Sequence, residues 1–488
     1  MSPPGSRPRR LLDRGDCARN TASPLPLLDH PRTLPLLVAG AFFMEFLDGT
    51  VIATALPAMA KTFDVRPVDL SVGVSAYLFT LALLLPASGW AAERFGTRQV
   101  FMTAVAVFTL ASVACGLSTG LASFTLARIV QGAGGALMVP VGRLAVLRVT
   151  AKSDLMRVIA ILTWPALTAP ILAPPLGGLL TTYASWRWIF FINVPLGLLG
   201  LWLAWRVVPP GQGDERRRLD LCGLALTGLA VLAPMAGIEL MGRETVDWPI
   251  VVALGLATFT FAAIALRHIR RHADPILRLD GLKQRSFAIC LLGGSLFRIA
   301  VSAVPFLLPL MFQVGFGLDA LRSGLLVLAL FVGNVAIKPL TSAILRRLGF
   351  RTVLAGDCCL TALAILGCAA IAPDTPLVLT LALLVLAGMT RSMGLTAINT
   401  LAFCDIAPAA LSGANTLFNM FQQMSFGLGV AVGALSLRVA EIWRPAGAAH
   451  ATPFEFRIAF VIVSLVALAA AADALRLPAD AGAEVARG

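Results

Sequence analysis

Charge is what this sequence has least of: Asp, Glu, Lys and Arg make up 13% of its 488 residues, whereas 58% are hydrophobic. That shortage excludes a water-soluble globule, which cannot hide so much apolar surface from water. Histidine is scarce as well. His30, His268, His272 and His450 are expected in tails or loops, so no metal centre or histidine-based catalytic site is expected. The eight cysteines, at 17, 115, 222, 290, 358, 359, 368 and 404, lack the spacing of metal ligands or of a disulfide framework and read as small hydrophobes. No G-x-x-x-x-G-K-S/T run exists, which argues against ATP drive within this chain. No cofactor is expected. With no buried His, Cys–His or metal cluster, neither an enzyme nor a non-transporting receptor is favoured.

What is present in abundance is the long apolar run. Stretches of about 20 residues, rather than alternating segments of ten, choose membrane-crossing helices over a barrel. Fourteen spans are predicted near 34–58, 68–91, 99–118, 121–146, 158–182, 188–208, 219–240, 248–267, 286–313, 322–345, 352–371, 376–403, 410–438 and 455–475. The net charge of +13 fits this arrangement better than it fits nucleic acid, because the basic residues sit at the ends of the runs. Counting residues at the span ends with the adjoining loops, 27 of the 39 Lys and Arg fall on the side of the two termini and 8 on the other side, leaving Arg128, Arg298, Lys338 and Arg391 deep inside spans. The positive-inside bias therefore places both ends in the cytoplasm of a multi-pass inner-membrane protein. Residues 1–33, with six arginines and no cleavage-like site, read as a cytoplasmic tail rather than a signal peptide.

The first span holds two carboxylates, Glu45 and Asp48, among Phe42, Phe43, Phe46 and Leu47. Their i,i+3 spacing puts them on one helical face. An acid at that depth costs a few kcal/mol to insert and is expected to face a protein interior or a water-filled cavity. Burial disfavours the charged form of a carboxyl and a neighbouring cation favours it, the two levers needed to load and unload a proton. Arg128, mid-span in the fourth run, carries a charge that persists at any working pH. The alternative is a permanent structural Asp48–Arg128 pair. Glu45 reads as a cation-binding or second proton site, or as an acid lining the cavity.

An internal repeat is visible between spans. ERFGTR at 93–98 recurs as RRLGFR at 346–351, an offset of 253 residues that repeats Arg94, Gly96 and Arg98 as Arg347, Gly349 and Arg351. Spans 1–6 and 9–14 then form equivalent halves, with spans 7 and 8 inserted after the linker PPGQGDERRR at 209–218. Duplicated halves suit a transporter that rocks around a central site. The expected organisation is a tail at 1–33, a six-helix bundle at 34–208, a linker with two extra helices at 209–270, a second bundle at 271–475 and a tail at 476–488.

Five stretches together resemble a known family: LDGTVIATALP (47–57), GWAAERFGTRQVF (89–101), LARIVQGAGGALMVP (126–140), APILAPPLGG (169–178) and WRWIFFINVPLG (186–197). The chain is similar to the major facilitator superfamily, and within it to the fourteen-span drug:proton antiporters of the EmrB and QacA type, including the HsrA-like members. The resemblance implies an all-α membrane protein of the major facilitator fold, with two pseudo-symmetric six-helix bundles plus an inserted pair. It implies a proton-coupled multidrug efflux antiporter that exports small amphipathic or cationic compounds by alternating access, driven by the proton gradient. The alternative is a proton-coupled importer or exporter of one metabolite. Asp48 corresponds to the family's proton-coupling aspartate and Arg128 to its buried arginine, although Ala53 replaces a frequent Asn.

The turn at 89–101 matches the superfamily's loop between spans 2 and 3. There Gly89 and Gly96 would permit packing and turning, while Glu93, Arg94 and Arg98 would latch the halves or cap helix ends. Pro170, Pro174, Gly177 and Gly178 match the antiporter signature in which a kinked fifth span seals against the opposite half. Candidates for the substrate cavity are Phe42, Phe46, Gln131, Trp164, Arg298, Asn419 and Gln423. Lys338 and Arg391 would face the cavity or snorkel at helix ends. Implied partners are a small-molecule substrate, protons and the lipid bilayer, without nucleic acid; the sequence names no periplasmic adaptor. An Asp48→Asn variant is expected to fold and insert yet lose uphill exchange.

Overall fold

A computed structural model describes residues 33–150, 154–209, 219–241, 246–272, 275–407, 410–442 and 452–478. The arginine-rich tail, most of the 209–218 linker, Cys17, His30 and His450 lie outside the described residues. Every described element is helical, as apolar solvent demands of a chain that must satisfy its own N–H and C=O groups.

The first half begins with α1 (Thr33–Val51), α2 (Leu56–Phe63), α3 (Ser71–Leu84), α4 (Ala87–Phe95) and α5 (Thr97–Leu117). It ends with α6 (Leu121–Val149), α7 (Leu155–Tyr183), α8 (Trp188–Phe191) and α9 (Asn193–Val207). An extra pair follows, α10 (Leu221–Met241) and α11 (Trp248–Arg271). The second half contains α12 (Arg285–Leu310), α13 (Ala320–Ala336), α14 (Lys338–Leu348), α15 (Phe350–Ala370), α16 (Leu377–Cys404), α17 (Leu411–Glu441) and α18 (Pro453–Ala474).

Twelve helices among the described residues are long and apolar enough to cross a bilayer, and α13 with α14 makes a thirteenth when read as one bent span. The helix at the position of the expected fifth span, α7, is 29 residues long and falls outside those thirteen. Span 10 is thus not one straight helix. It bends by 49° at Ile337, where Pro339 opens α14 without an N–H to give. Span 2 is likewise divided into α3 and α4 at Leu85–Pro86.

The halves repeat each other in packing as well as in sequence. In the first, α1 packs on α7, α3 on α6, and α5 on both α6 and α9; in the second, α12 packs on α17, α13 on α16, and α15 on both α16 and α18. The repeated turn is the same backbone turn twice. Gly96 has φ 84° and ψ 143°, and Gly349 has φ 76° and ψ 156°, a region that side chains other than glycine's rarely enter. The halves meet through α7 against α13 and α3 against α17, and α10 packs on α3 and α17 from outside.

Contacts between the halves gather at the face that carries the α1–α3 connection. Gln313 donates to the Thr54 carbonyl at 2.9 Å, and the Leu321 N–H to Thr182 at 3.2 Å. Arg66 pairs with Glu441 at 3.3 Å and Arg438 with Asp69 at 2.9 Å. Close approach of the backbones is enforced by glycine. A Cβ at Gly324 would stand 2.2 Å from the Pro174 carbonyl oxygen, and one at Gly178 2.5 Å from that of Ala320. Despite four internal prolines, α7 runs without a break.

Candidate functional site

The centre of the first half is a polar knot tied by four helices. Asp48, on α1, is 1% exposed and Arg128, on α6, is fully buried. Arg128 Nη1 meets Asp48 Oδ2 at 2.5 Å and donates to Gln131 Oε1 at 2.7 Å. The other carboxylate oxygen, Oδ1, accepts from Gln131 Nε2 at 2.8 Å and from Asn193 Nδ2 at 3.1 Å. Both amides also reach Ser112 Oγ on α5, at 2.7 and 3.2 Å. The guanidinium lies 3.9 Å from the centre of the Tyr77 ring, a stacked cation–π contact added to the ion pair.

Sequence spacing explains the local part of this arrangement. Arg128 and Gln131 are three residues apart on α6 and so share a face. The glycines that follow let neighbours come close: a Cβ at Gly132 would lie 2.7 Å from the Tyr77 carbonyl oxygen, and one at Gly134 2.7 Å from the Phe108 nitrogen. Helices thus packed bring α3 and α5 side chains within reach of α6. Arg128 still has Nε and Nη2 without a hydrogen-bond partner among the described residues, and Glu45 has Oε2 in the same condition. Buried polar atoms left so are costly and concentrate at sites that rearrange.

Of the expected site residues, Glu45, Asp48 and Arg128 lie together in the buried part of the first half, whereas Phe42 is half-buried and Phe46 and Trp164 are exposed. Gln131 is not a cavity residue: it is fully buried as the amide that bridges Asp48 and Arg128. Arg298 is also not cavity-facing. It is 0% exposed, donates to the Cys290 carbonyl at 3.3 Å and stacks 4.5 Å from the Phe418 ring. Asn419 turns back on its own helix to Asn415, at 2.9 Å from the carbonyl, and Gln423 is half-buried. Lys338 opens α14 at the break in span 10 and donates to Thr396 at 2.8 Å.

The gating residues divide in the same way. Gly177 and Gly178 are buried contact points, Gly177 against α1 and Gly178 against α13. Pro174 is buried against Gly324 and Pro170 is half-buried. Gly96 makes the turn, but Gly89 is exposed and a Cβ there would meet nothing within 4 Å, so close packing is not its role. Glu93 is exposed and Arg94 half-buried. Arg98 donates to the Trp205 carbonyl at the end of α9, a cap within its own half.

Three participants were not legible as such. Asn193 sits in the WRWIFFINVPLG run, where an amide in an apolar span was the available signal. Ser112 and Tyr77 carried none. Asp357, on α15, is a further acid that no local pattern marks: it is 5% exposed, with Oδ2 unpartnered among the described residues. The histidines depart from expectation too, since His268 lies in the last turn of α11 and His272 caps it.

Two helical halves with a charge pair buried in the first are an architecture that membrane transporters share. The Major Facilitator Superfamily family model matches residues 38–430, and the chain belongs to that family. It is 36% identical over 416 residues to "Putative multidrug resistance protein MdtD" of Salmonella newport (strain SL254), covering 84% of this chain and 87% of that protein. The protein of the same name from Salmonella typhimurium matches equally, at 36% over 84% and 87%. Among solved structures, a D-xylose-proton symporter superposes with a TM-score of 0.63 at 15% identity, over 92% of this chain and 98% of that one. A POT family transporter in complex with 5-aminolevulinic acid superposes at 0.66 and 13% identity, over 91% and 95%. At those identities the structures establish the fold alone.

Proposed function

We propose that this protein is a proton-coupled multidrug efflux antiporter of the inner membrane, with both termini in the cytoplasm, that exports small amphipathic or cationic compounds by alternating access. The observation that carries the reading is the Asp48–Arg128 pair, fully buried on two helices of one half and partnered through Gln131, Asn193 and Ser112. The names of the Salmonella relatives agree with drug export.

In this mechanism protonation of Asp48 removes the negative partner of Arg128, and deprotonation restores it. An ion pair made and broken inside a low-dielectric interior changes the packing preference of α1 against α6, which is the differential interaction that any ligand-driven shift between two states requires. With the loops assigned by positive charge, the sealed face that holds Gln313–Thr54 and Arg66–Glu441 is periplasmic. In this state the proton has left Asp48 for the cytoplasm, the pair with Arg128 is made, and substrate binds near Phe42, Phe46 and Trp164. Opening of α7 from α13 at Gly178 and Gly324 lets substrate leave and a new proton enter. The energy comes from the proton gradient.

The test is purified protein in liposomes under an imposed pH gradient, challenged with a panel of cationic dyes. Uphill dye movement against proton counterflow is expected in wild type and absent in Asp48→Asn. Dye transport indifferent to the pH gradient would overturn the coupling.

A further inference from the structure

The inserted pair brings a carboxylate and two imidazoles together, and we propose that Asp220, His268 and His272 form a binding site for one divalent transition-metal ion, with Zn²⁺ as its reference ligand. Asp220 immediately precedes α10, and its side chain is 3% exposed. His268 and His272 stand one turn apart at the end of α11, with ring centres 5.0 Å apart and planes 33° from parallel. His268 Nε2 lies 2.8 Å from Asp220 Oδ1, and one ligand atom from each of the three residues falls within 4.8 Å of the others.

Tetrahedral zinc with bonds of about 2.0–2.2 Å holds its ligand atoms about 3.4 Å apart. The Asp220–His268 contact is shorter than that, at 2.8 Å, and each of the three ligand atoms lies within 4.8 Å of the others. An ion seated there displaces the hydrogen of the Asp220–His268 bond and widens that contact. Two histidines at i,i+4 present their rings from one face of a helix, the spacing that zinc sites use.

The carboxylate is held in place from two further directions. The Gly223 N–H donates to Oδ1 at 2.8 Å and the Ile276 N–H to Oδ2 at 3.3 Å. Burial opposes charge on Asp220, but these donors together with the His268 ring outweigh it and hold its carboxyl below the usual carboxylate range. Backbone donors that orient a ligating carboxylate are what a metal site needs around it. An ion here joins the start of α10 to the end of α11, on a carboxylate that the Ile276 N–H already ties to the segment leading into α12.

The experiment is Zn²⁺ titration of tag-free, chelator-treated full-length protein in detergent by calorimetry, repeated with Co²⁺ to read the ligand set from its visible spectrum. One ion per chain is expected, with an upward shift of the melting temperature and a Co²⁺ spectrum free of thiolate charge-transfer bands. His268→Gln and His272→Gln each weaken binding at least about 10-fold. His272→Gln is the deciding variant, because it leaves the Asp220–His268 bond and its folding contribution intact. Absence of saturable micromolar binding, unaltered affinity in His272→Gln, or a Co²⁺–thiolate spectrum would overturn the proposal and leave the 2.8 Å contact as a structural pair.

Discussion

Replacing Asp48 by Asn tests both the energetics and the role of the buried pair. Asn keeps an oxygen that accepts from Gln131 Nε2 and Asn193 Nδ2, now at 2.8 and 3.1 Å. Its amide nitrogen, however, then faces Arg128 Nη1 across what is now a 2.5 Å ion pair, donor against donor. Arg128 retains Gln131 Oε1 at 2.7 Å and the Tyr77 ring at 3.9 Å, but no counter-charge in this network. Breaking a buried pair by removing one partner costs about 3–5 kcal/mol, whereas replacing both partners with neutral groups is often close to neutral.

The structure therefore revises the expectation that Asp48→Asn leaves folding untouched. We expect Asp48→Asn and Arg128→Met each to lose about 3–5 kcal/mol in a reversible unfolding titration in micelles, and the double variant to recover most of that loss. All three variants are expected to lose uphill exchange in liposomes. Losses that simply add, within about 0.5 kcal/mol, would refute the pairing argument. Full gradient-driven efflux by the double variant would move coupling to Glu45.

Further outcomes follow from the packing and the turns. Gly324→Ala places a Cβ 2.2 Å from the Pro174 oxygen; it should penalise the sealed state by about 1–3 kcal/mol, read as faster thiol labelling of a Ser323→Cys probe, which is fully buried in that state. Asp69→Asn removes the negative charge that Arg66 and Arg438 share; it should open the same face to labelling, by about 1–3 kcal/mol, with no change when both arginines are already Gln. Both glycines of the repeated turn, Gly96 and Gly349, hold a positive φ, and a Cβ at Gly349 meets nothing within 4 Å, so Gly96→Ala and Gly349→Ala should each cost the backbone penalty of about 1–3 kcal/mol. Equal melting shifts at the two positions would confirm one turn used twice. Glu45→Gln removes a buried carboxylate beside Asp48 whose Oε2 has no partner among the described residues; it should not lower the melting temperature, while lowering the protons exchanged per substrate, measured by reversal potential.

The amino-acid sequence alone determined the solvent, the run of spans, the duplicated basic turn and the presence of Glu45, Asp48 and Arg128 where lipid tolerates no charge. These are properties of hydropathy and of spacing along one helix, which neighbours hardly alter. Tertiary structure alone decided that Asn193 and Ser112 complete the Asp48 knot, that Gln131 and Arg298 are sealed away from any cavity, that α7 closes on α13, and that His268 stands beside Asp220 across 48 residues of chain. Each of those depends on how far one helix is rotated against another. That rotation is set by small residues such as Gly134, Gly178 and Gly324 acting on partners far away in the chain, so no local pattern carries it.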